Sequence, residues 1–238
     1  LQVREACQLA QNLPLIAQTY YNGTVSPVPQ TITLSTMGGG WGNPYSNWPA
    51  DVQAQYAYNP TLAKQLLAQA GFPNGFTTVC VANNTSDMDL MQIINSNLAA
   101  IGITVNVTLM DNATWGTYCI SNKKSVAMSF CDGRPFGNAY SPIRQLQLFR
   151  TGFGGNYSLV SDPTYDTYYP AAVAATDINQ IKSIVAQANL YAAQQHFGVS
   201  IVSPNFYSFV QPWLKGYNGE NGAASSGFYL SRFWVAAR

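Results

Sequence analysis

An alternation of strand-like and helical stretches constrains this fold more than any other feature of the sequence. "FTTVCVA" (76–82), "ITVNVTLM" (103–110) and "SVAMSFCD" (125–132) each favour a strand, and helical stretches with short connections separate them. The joint leading into the first strand is "YNPTLAKQLLAQAGFPNGF" (58–76). Asn59 can cap a helix there, and Pro60 suits the first helical position, where its missing N–H costs nothing. Leu62, Leu66, Leu67 and Ala70 form one apolar stripe, and Gly71 suits the left-handed residue that closes a helix. "SDMDLMQIINSNLAAIG" predicts a second helix, capped by Ser86 with Asp89 three residues on, its inner face Met91, Ile94, Leu98 and Ile101. "NATWGTYCIS" predicts a short helix after the second strand. Strand–helix–strand–helix–strand with short links predicts an α/β fold built on a parallel, right-handed βαβ sheet.

The flanks are mostly helical or irregular. Residues 3–21 predict an opening helix bent at Pro14. Residues 22–57 carry many Gly, Pro, Asn and Trp and predict a long loop, a kind of segment that is often functional. Ser141-Pro142 and Asp162-Pro163 repeat the cap-then-proline start. Residues 177–196 predict a long amphipathic helix with Ile178, Ile181, Ile184, Val185, Ala188 and Tyr191 inward, and Pro170 should bend or end the helix before it. "VSIVSP" (199–204) reads as a last core strand, and residues 205–238 are aromatic with weak strand character.

Eleven basic against ten acidic residues give no electrostatic case for nucleic acid. Only 9% of residues are charged, so uncharged amides and hydroxyls supply the polarity, a composition more typical of exported chains. No apolar run approaches the roughly 20 residues that span a bilayer, and no signal peptide is visible. The chain opens without Met on a stretch that already reads as helix, so a fragment is expected. Cys7, Cys80, Cys119 and Cys131 lack the CxxC spacing of a zinc site. Export would permit one or two disulfides of unassigned pairing; otherwise these are small buried hydrophobes. The N-x-S/T sequons at Asn22, Asn83, Asn84, Asn106, Asn112 and Asn156 are expected by chance in so Asn- and Thr-rich a chain.

Catalysis finds little support. The single histidine, His196, stands near the end of a long helix, where a packing role fits it. There is no Gly-x-Ser-x-Gly elbow and no cluster with metal-ligand spacing. Asp87 and Asp89 lie at a helix start, where they favour the dipole. The expectation is a protein that is not an enzyme and holds neither cofactor nor metal.

With these words in this order, the chain resembles the family 5 extracellular solute-binding proteins, the peptide- and nickel-type receptors of ABC importers. "VREACQLAQ" resembles the helix that enters the family's second lobe. "YNPTLAKQLLAQAGFPNGF", "NSNLAAIGITVNVTLMDNATW", "DPTYDTYYPAAVAATD" and "QPWLKGY" are similar to further family words, and together they cover nearly the whole chain. The resemblance implies a type II periplasmic-binding-protein-like lobe, its parallel sheet flanked by helices. Residues 1–204 would be the second ligand-binding lobe, and residues 205–238 a segment returning toward the first lobe, most of which is absent. The implied function is a solute-binding receptor component of an ABC importer, with one wall of an inter-lobe cleft supplied here and an oligopeptide the leading ligand. The implied partners are that solute and, through the full-length receptor, the permease subunits. A dimer through the exposed inter-lobe surface is a further expectation. The implied location is extracellular or periplasmic, with a lipoprotein anchor in the full-length protein. The alternative is a surface interaction or adhesion module on the same fold, without transport.

Ligands of open parallel sheets bind beyond the carboxyl ends of the strands. The third strand ends at Cys131-Asp132, and "GRPFGNAYSP" (133–142) follows, a mixture of apolar walls and a few polar groups that suits a small solute. Candidate ligand residues there are Cys131, Asp132, Arg134, Phe136 and Tyr140. A strand-end ion pair is the other reading of Asp132 and Arg134, and local packing that of Phe136 and Tyr140. The sequence departs from the family at this point: Cys131 stands near the family's aromatic residue, and its Asp-Tyr-Pro-Asp-Pro word is reduced to Ala139-Tyr140-Ser141-Pro142. "GGGWGNPYSNW" (38–48) is the second candidate surface, with Trp41 and Asn43; plugging of the loop is the other reading of Trp41. Asn156 resembles a family asparagine that lines the cleft. Core packing is the expected role of Trp115.

Overall fold

Strand β1 (Phe76–Asn83) pairs in parallel with β2 (Ile103–Met110) along its whole length, from Phe76 opposite Ile103 to Asn83 opposite Met110. Its other edge pairs in parallel with β3 (Met128–Ser129), giving the order β2-β1-β3. This computed structural model describes residues 1–29, 40–41, 43–121, 128–129, 141–202, 211–216 and 234–235. The chain divides into two compact units, Leu1–Ser203 and Pro204–Arg238.

Parallel neighbours need crossovers, and the two crossovers take opposite faces. Helix α5 (Met88–Ala99), between β1 and β2, sets Met91 against Cys80 and Ala82. Helix α6 (Asn112–Gly116) continues as a wide turn over Thr117–Ser121 and sets Trp115 against Val81. Successive side chains of a strand point to opposite faces. Cys80 and Ala82 therefore face one layer and Val81 the other, which makes the gap between the ends of β1 and β3 a topological switch point.

Local signals set the joints. Asn59 caps α4 (Pro60–Gln69) by accepting from the Leu62 N–H at 3.0 Å, and Gly71 takes φ +90° just beyond its end. Asp87, not Ser86, caps α5 by accepting from the Leu90 N–H at 3.1 Å. The Ser86 hydroxyl is drawn to the Asn83 side chain instead, at 3.3 Å. Gly75 and Gly102 meet where the chain enters β1 and β2. The Phe76 N–H donates to the Gly102 carbonyl at 3.2 Å, and a Cβ on Gly75 would lie 1.9 Å from that oxygen.

The opening stretch is two helices rather than one bent helix. Helix α1 (Gln2–Leu9) ends before Asn12, whose side chain caps α2 (Leu13–Thr19), with Pro14 in the first turn where it blocks no hydrogen bond. Ala6 and Leu9 of α1, Ala63 and Leu67 of α4, Leu98 of α5 and Ile103 of β2 form one core cluster; each large aliphatic there contributes roughly 1.5–3 kcal/mol relative to exposure. Leu13 and Ile16 of α2 join Leu90 and Val202 in a second cluster. Gln8, fully buried, works as a piece of strand: its Nε2 donates to the Ser200 carbonyl at 3.0 Å, and its Oε1 accepts from the Ser200 N–H at 2.7 Å. Residues 199–202 accordingly form no regular strand, only an isolated antiparallel bridge between Pro29 and Val202.

The expected long loop contains a 3-10 turn at Tyr45–Asn47 and helix α3 (Ala50–Ala54). The later part is helical: α7 (Pro142–Gln145, capped by Ser141), 3-10 turns at Leu146–Phe149 and Tyr165–Thr167, α8 (Tyr168–Ala174) and α9 (Ile178–Gln194, capped by Asp177). Pro170 lies in the first turn of α8 and does not end it. The buried face of α9 is Val185, Ala188, Asn189, Ala192 and Ala193, whereas Ile178 is 50% exposed. In the second unit, β4 (Leu214–Lys215) pairs antiparallel with β5 (Trp234–Val235).

Gly75 has φ +72° and backbone in the way of any side chain. Gly75→Ala is expected to destabilise the protein by more than about 3 kcal/mol, read as a fall in the urea midpoint at constant m-value.

Candidate functional site

The switch point is flanked by the loop that follows β1. Asn83, the last residue of β1, folds that loop through its own side chain: Oδ1 accepts from the Thr85 N–H at 2.8 Å and the Thr85 hydroxyl at 2.7 Å. The Asn84 N–H donates to the Met110 carbonyl at the end of β2, at 2.8 Å. Asn84 and Thr85 are exposed. At the loop's far end, Asp87 uses one oxygen to cap α5 and accepts the Tyr20 hydroxyl on the other. At the tip of β2, Asp111 caps α6, accepting from the N–H groups of Ala113 and Thr114 at 3.0 Å each. The hydroxyl and N–H of Thr114 hold its carboxyl below the usual range. The described rim thus offers amides, hydroxyls and carboxylates already engaged in local bonds.

Cys131, Asp132, Arg134, Phe136 and Tyr140 lie outside the described residues. Trp41 and Asn43 both meet α9: the Lys182 ammonium stands 5.6 Å from the Trp41 ring centre, and Asn43 Nδ2 is 3.5 Å from the Ala186 carbonyl. The Asn43 carbonyl accepts from the Trp48 indole at 3.1 Å. Asn156 is buried and clasps its own loop, donating to the carbonyls of Arg150 (3.1 Å) and Val160 (2.8 Å) and accepting from the Val160 N–H (3.0 Å). Trp115 packs edge-on to Tyr157, with ring centres 5.4 Å apart. Sequence reasoning did not single out Tyr20, Asn84 or Thr85 as rim residues. The signal was present in the Asn-Asn-Thr-Ser run directly after a strand, but the partner of Asp87 lies 67 residues away. A hollow of about 370 Å³ lies at the opposite, amino-terminal rim, among Lys64, Leu67, Phe72 and Ala99–Gly102. Its place at the starts of the strands sets it apart from the crevice where open α/β sheets bind solutes.

This sheet order, with crossovers on opposite faces, is that of a type II periplasmic-binding-protein lobe, and solved structures show the same fold. The ABC transporter-associated periplasmic binding protein DppA from Helicobacter pylori, in complex with the peptide STSA, matches at TM-score 0.74 and 19% identity over 99% of this chain and 44% of its own. The oligopeptide-binding protein AppA from Bacillus subtilis, in complex with a nonapeptide, matches at TM-score 0.72 and 19% identity over 99% of this chain and 47% of its own. Residues 1–189 match the bacterial extracellular solute-binding proteins, family 5, middle region, and the chain belongs to that family. The glutathione-binding protein GsiB of Shigella flexneri is 32% identical over 115 residues, which is 46% of this chain and 20% of that protein. GsiB of Escherichia coli K12 is 32% identical over 111 residues, with the same shares. The match spans a fifth of the length of these curated relatives. Among the described residues, no helix is long and apolar enough to cross a membrane, and no group of three His, Cys, Asp or Glu side chains could hold a metal ion.

His196 lies just past α9, 1% exposed, with left-handed backbone at φ +46°. Its ring stacks on Tyr56 with centres 5.0 Å apart, and Nε2 is 3.2 Å from Gln55 Oε1. Nδ1 is buried without a partner among the described residues. Burial, and then the nearby Arg4 guanidinium, push its pKa down to about 4. The fold therefore holds the neutral ring. Its contribution is complete above the unfolded pKa of about 6.5 and is lost as pH falls toward 4. The loss across that window should be on the order of 3 kcal/mol. His196→Asn, which tolerates the left-handed backbone, is expected to flatten the pH dependence of the urea midpoint between pH 6.5 and 4.

Proposed function

We propose that this chain is one lobe of a solute-binding receptor serving an ABC importer, with a peptide as its ligand class. The observation that carries the reading is the membership of residues 1–189 in the solute-binding family, together with a β1–β3 switch point at which such a fold takes its solute. The peptide assignment draws on the bound peptides of DppA and AppA and on the glutathione named for GsiB, itself a small peptide. In this reading the loops after β1 and β3 form one wall. Cys131, Asp132, Arg134, Phe136 and Tyr140 are the proposed ligand residues of that wall. The chain acts by binding rather than by catalysis, outside the cytoplasmic membrane, in a full-length protein tethered as a lipoprotein and docking on permease subunits.

Half a cleft holds a solute poorly, because the contacts that offset the cost of association come from both walls. Isothermal titration of the full-length protein with glutathione and with the peptide Ser-Thr-Ser-Ala should show saturable binding of at least one. This chain alone should bind the same peptide at least about 100-fold more weakly. Absence of binding by the full-length protein across a di- to nonapeptide panel, or equal affinity of the isolated lobe, would overturn the reading.

A further inference from the structure

Tyr20 follows the last turn of α2, and its ring packs against the cluster of Leu13, Ile16, Ala17 and Leu90. That packing leaves its hydroxyl facing Asp87, to which it donates. Tyr21 braces it edge-on at 4.9 Å. Asp87 is the last residue of the β1–α5 loop, and each of its oxygens has a separate task, Oδ1 capping α5 and Oδ2 receiving Tyr20. The loop is pinned upstream by the Asn84 N–H on Met110. Between these two pins, the exposed Thr85 is held by its N–H and hydroxyl on the Asn83 side chain, next to the exposed Asn84.

We propose that Tyr20 is a positioning residue for the solute cleft: its hydroxyl fixes Asp87, and through Asp87 the Asn84–Thr85 tip that faces a bound solute at the β1–β3 switch point. The proposal rests on the receptor reading above. Without the hydroxyl, Oδ2 of Asp87 has lost its partner and the carboxylate can rotate off the cap. The downstream pin then slackens, and the tip samples orientations that no longer match the solute. The fold itself loses little, because the Tyr20 ring stays in its apolar cluster and α2 keeps its Asn12 cap. Burial, followed by the bond to Asp87, raises the pKa of Tyr20, in keeping with a hydroxyl held as a donor.

The test uses the full-length protein carrying Tyr20→Phe, Asp87→Asn or both, with glutathione and the peptide Ser-Thr-Ser-Ala as probes. Tyr20→Phe should weaken binding about tenfold while moving Tm by less than about 2 °C. In the Asp87→Asn background, the same change should cost less than about twofold. Amide exchange at Thr85 and Ser86 should quicken about tenfold in Tyr20→Phe. Unchanged affinity in Tyr20→Phe, or an equal tenfold loss in the Asp87→Asn background, overturns the proposal. If the wild-type protein binds neither probe, the receptor reading for these peptides fails. Unchanged exchange at Thr85 and Ser86 would then overturn the clamp on its own terms.

Discussion

Parallel pairing on both edges of β1 is the constraint from which the rest of the first unit follows. Parallel neighbours cannot be joined by a tight hairpin, so each of β2 and β3 must be reached by a crossover that carries its own helix. One crossover places Met91 over Cys80 and Ala82, and the other places Trp115 over Val81. β1 is thereby buried from both faces at its carboxyl half and opens at its tip. The loops that leave the carboxyl ends of β1 and β2 are delivered to one rim, and the hydrogen-bonding residues described there are neighbours because the topology leaves them nowhere else to go.

A chain with so few charges is joined by amides. Gln8 reads the backbone of Ser200, Asn97 donates to Gln11 at 3.3 Å, Asn156 closes its own loop, and Asn189 donates to the Val185 carbonyl at 2.8 Å. A neutral hydrogen bond contributes only about 1 kcal/mol net, whereas orphaning a buried partner costs roughly 1–3 kcal/mol. These amides therefore act mainly as selectors of one arrangement. Being uncharged, they are also indifferent to ionic strength.

Signals contained within a few residues were legible in the sequence. Asn59-Pro60 and Gly71 bound α4 as local capping chemistry requires, and the alternation of β1 and β2 with helices yields the parallel order. Where two residues competed for one task, local rules could not choose. Ser86 and Asp87 are both good caps, and a side chain on Asn83 decided between them. Residues 199–202 look like a strand, but the backbone groups of Ser200 are already taken by a glutamine 192 residues away. The inner face of α9 turned toward its small residues, which allow the Trp48–Tyr56 cluster to approach Ala193. For the site, the rim followed from topology alone. The parts played by Trp41, Asn43 and Asn156 depend on contacts with α9 and with the 150–160 loop that no spacing encodes.

The bond between Gln8 and Ser200 also sets an order of events. A ribosome adds roughly 5–20 residues per second, so the partner of Gln8 arrives on the order of tens of seconds after Gln8 itself. Until then α1 has α4 to lean on but no mate for its buried amide, and the unit can close only from its two ends together. Contacts this distant in sequence slow the search for the native state. A chain released before residue 200 would leave Gln8 without its partner and the cluster of Leu13, Ile16 and Leu90 without Val202.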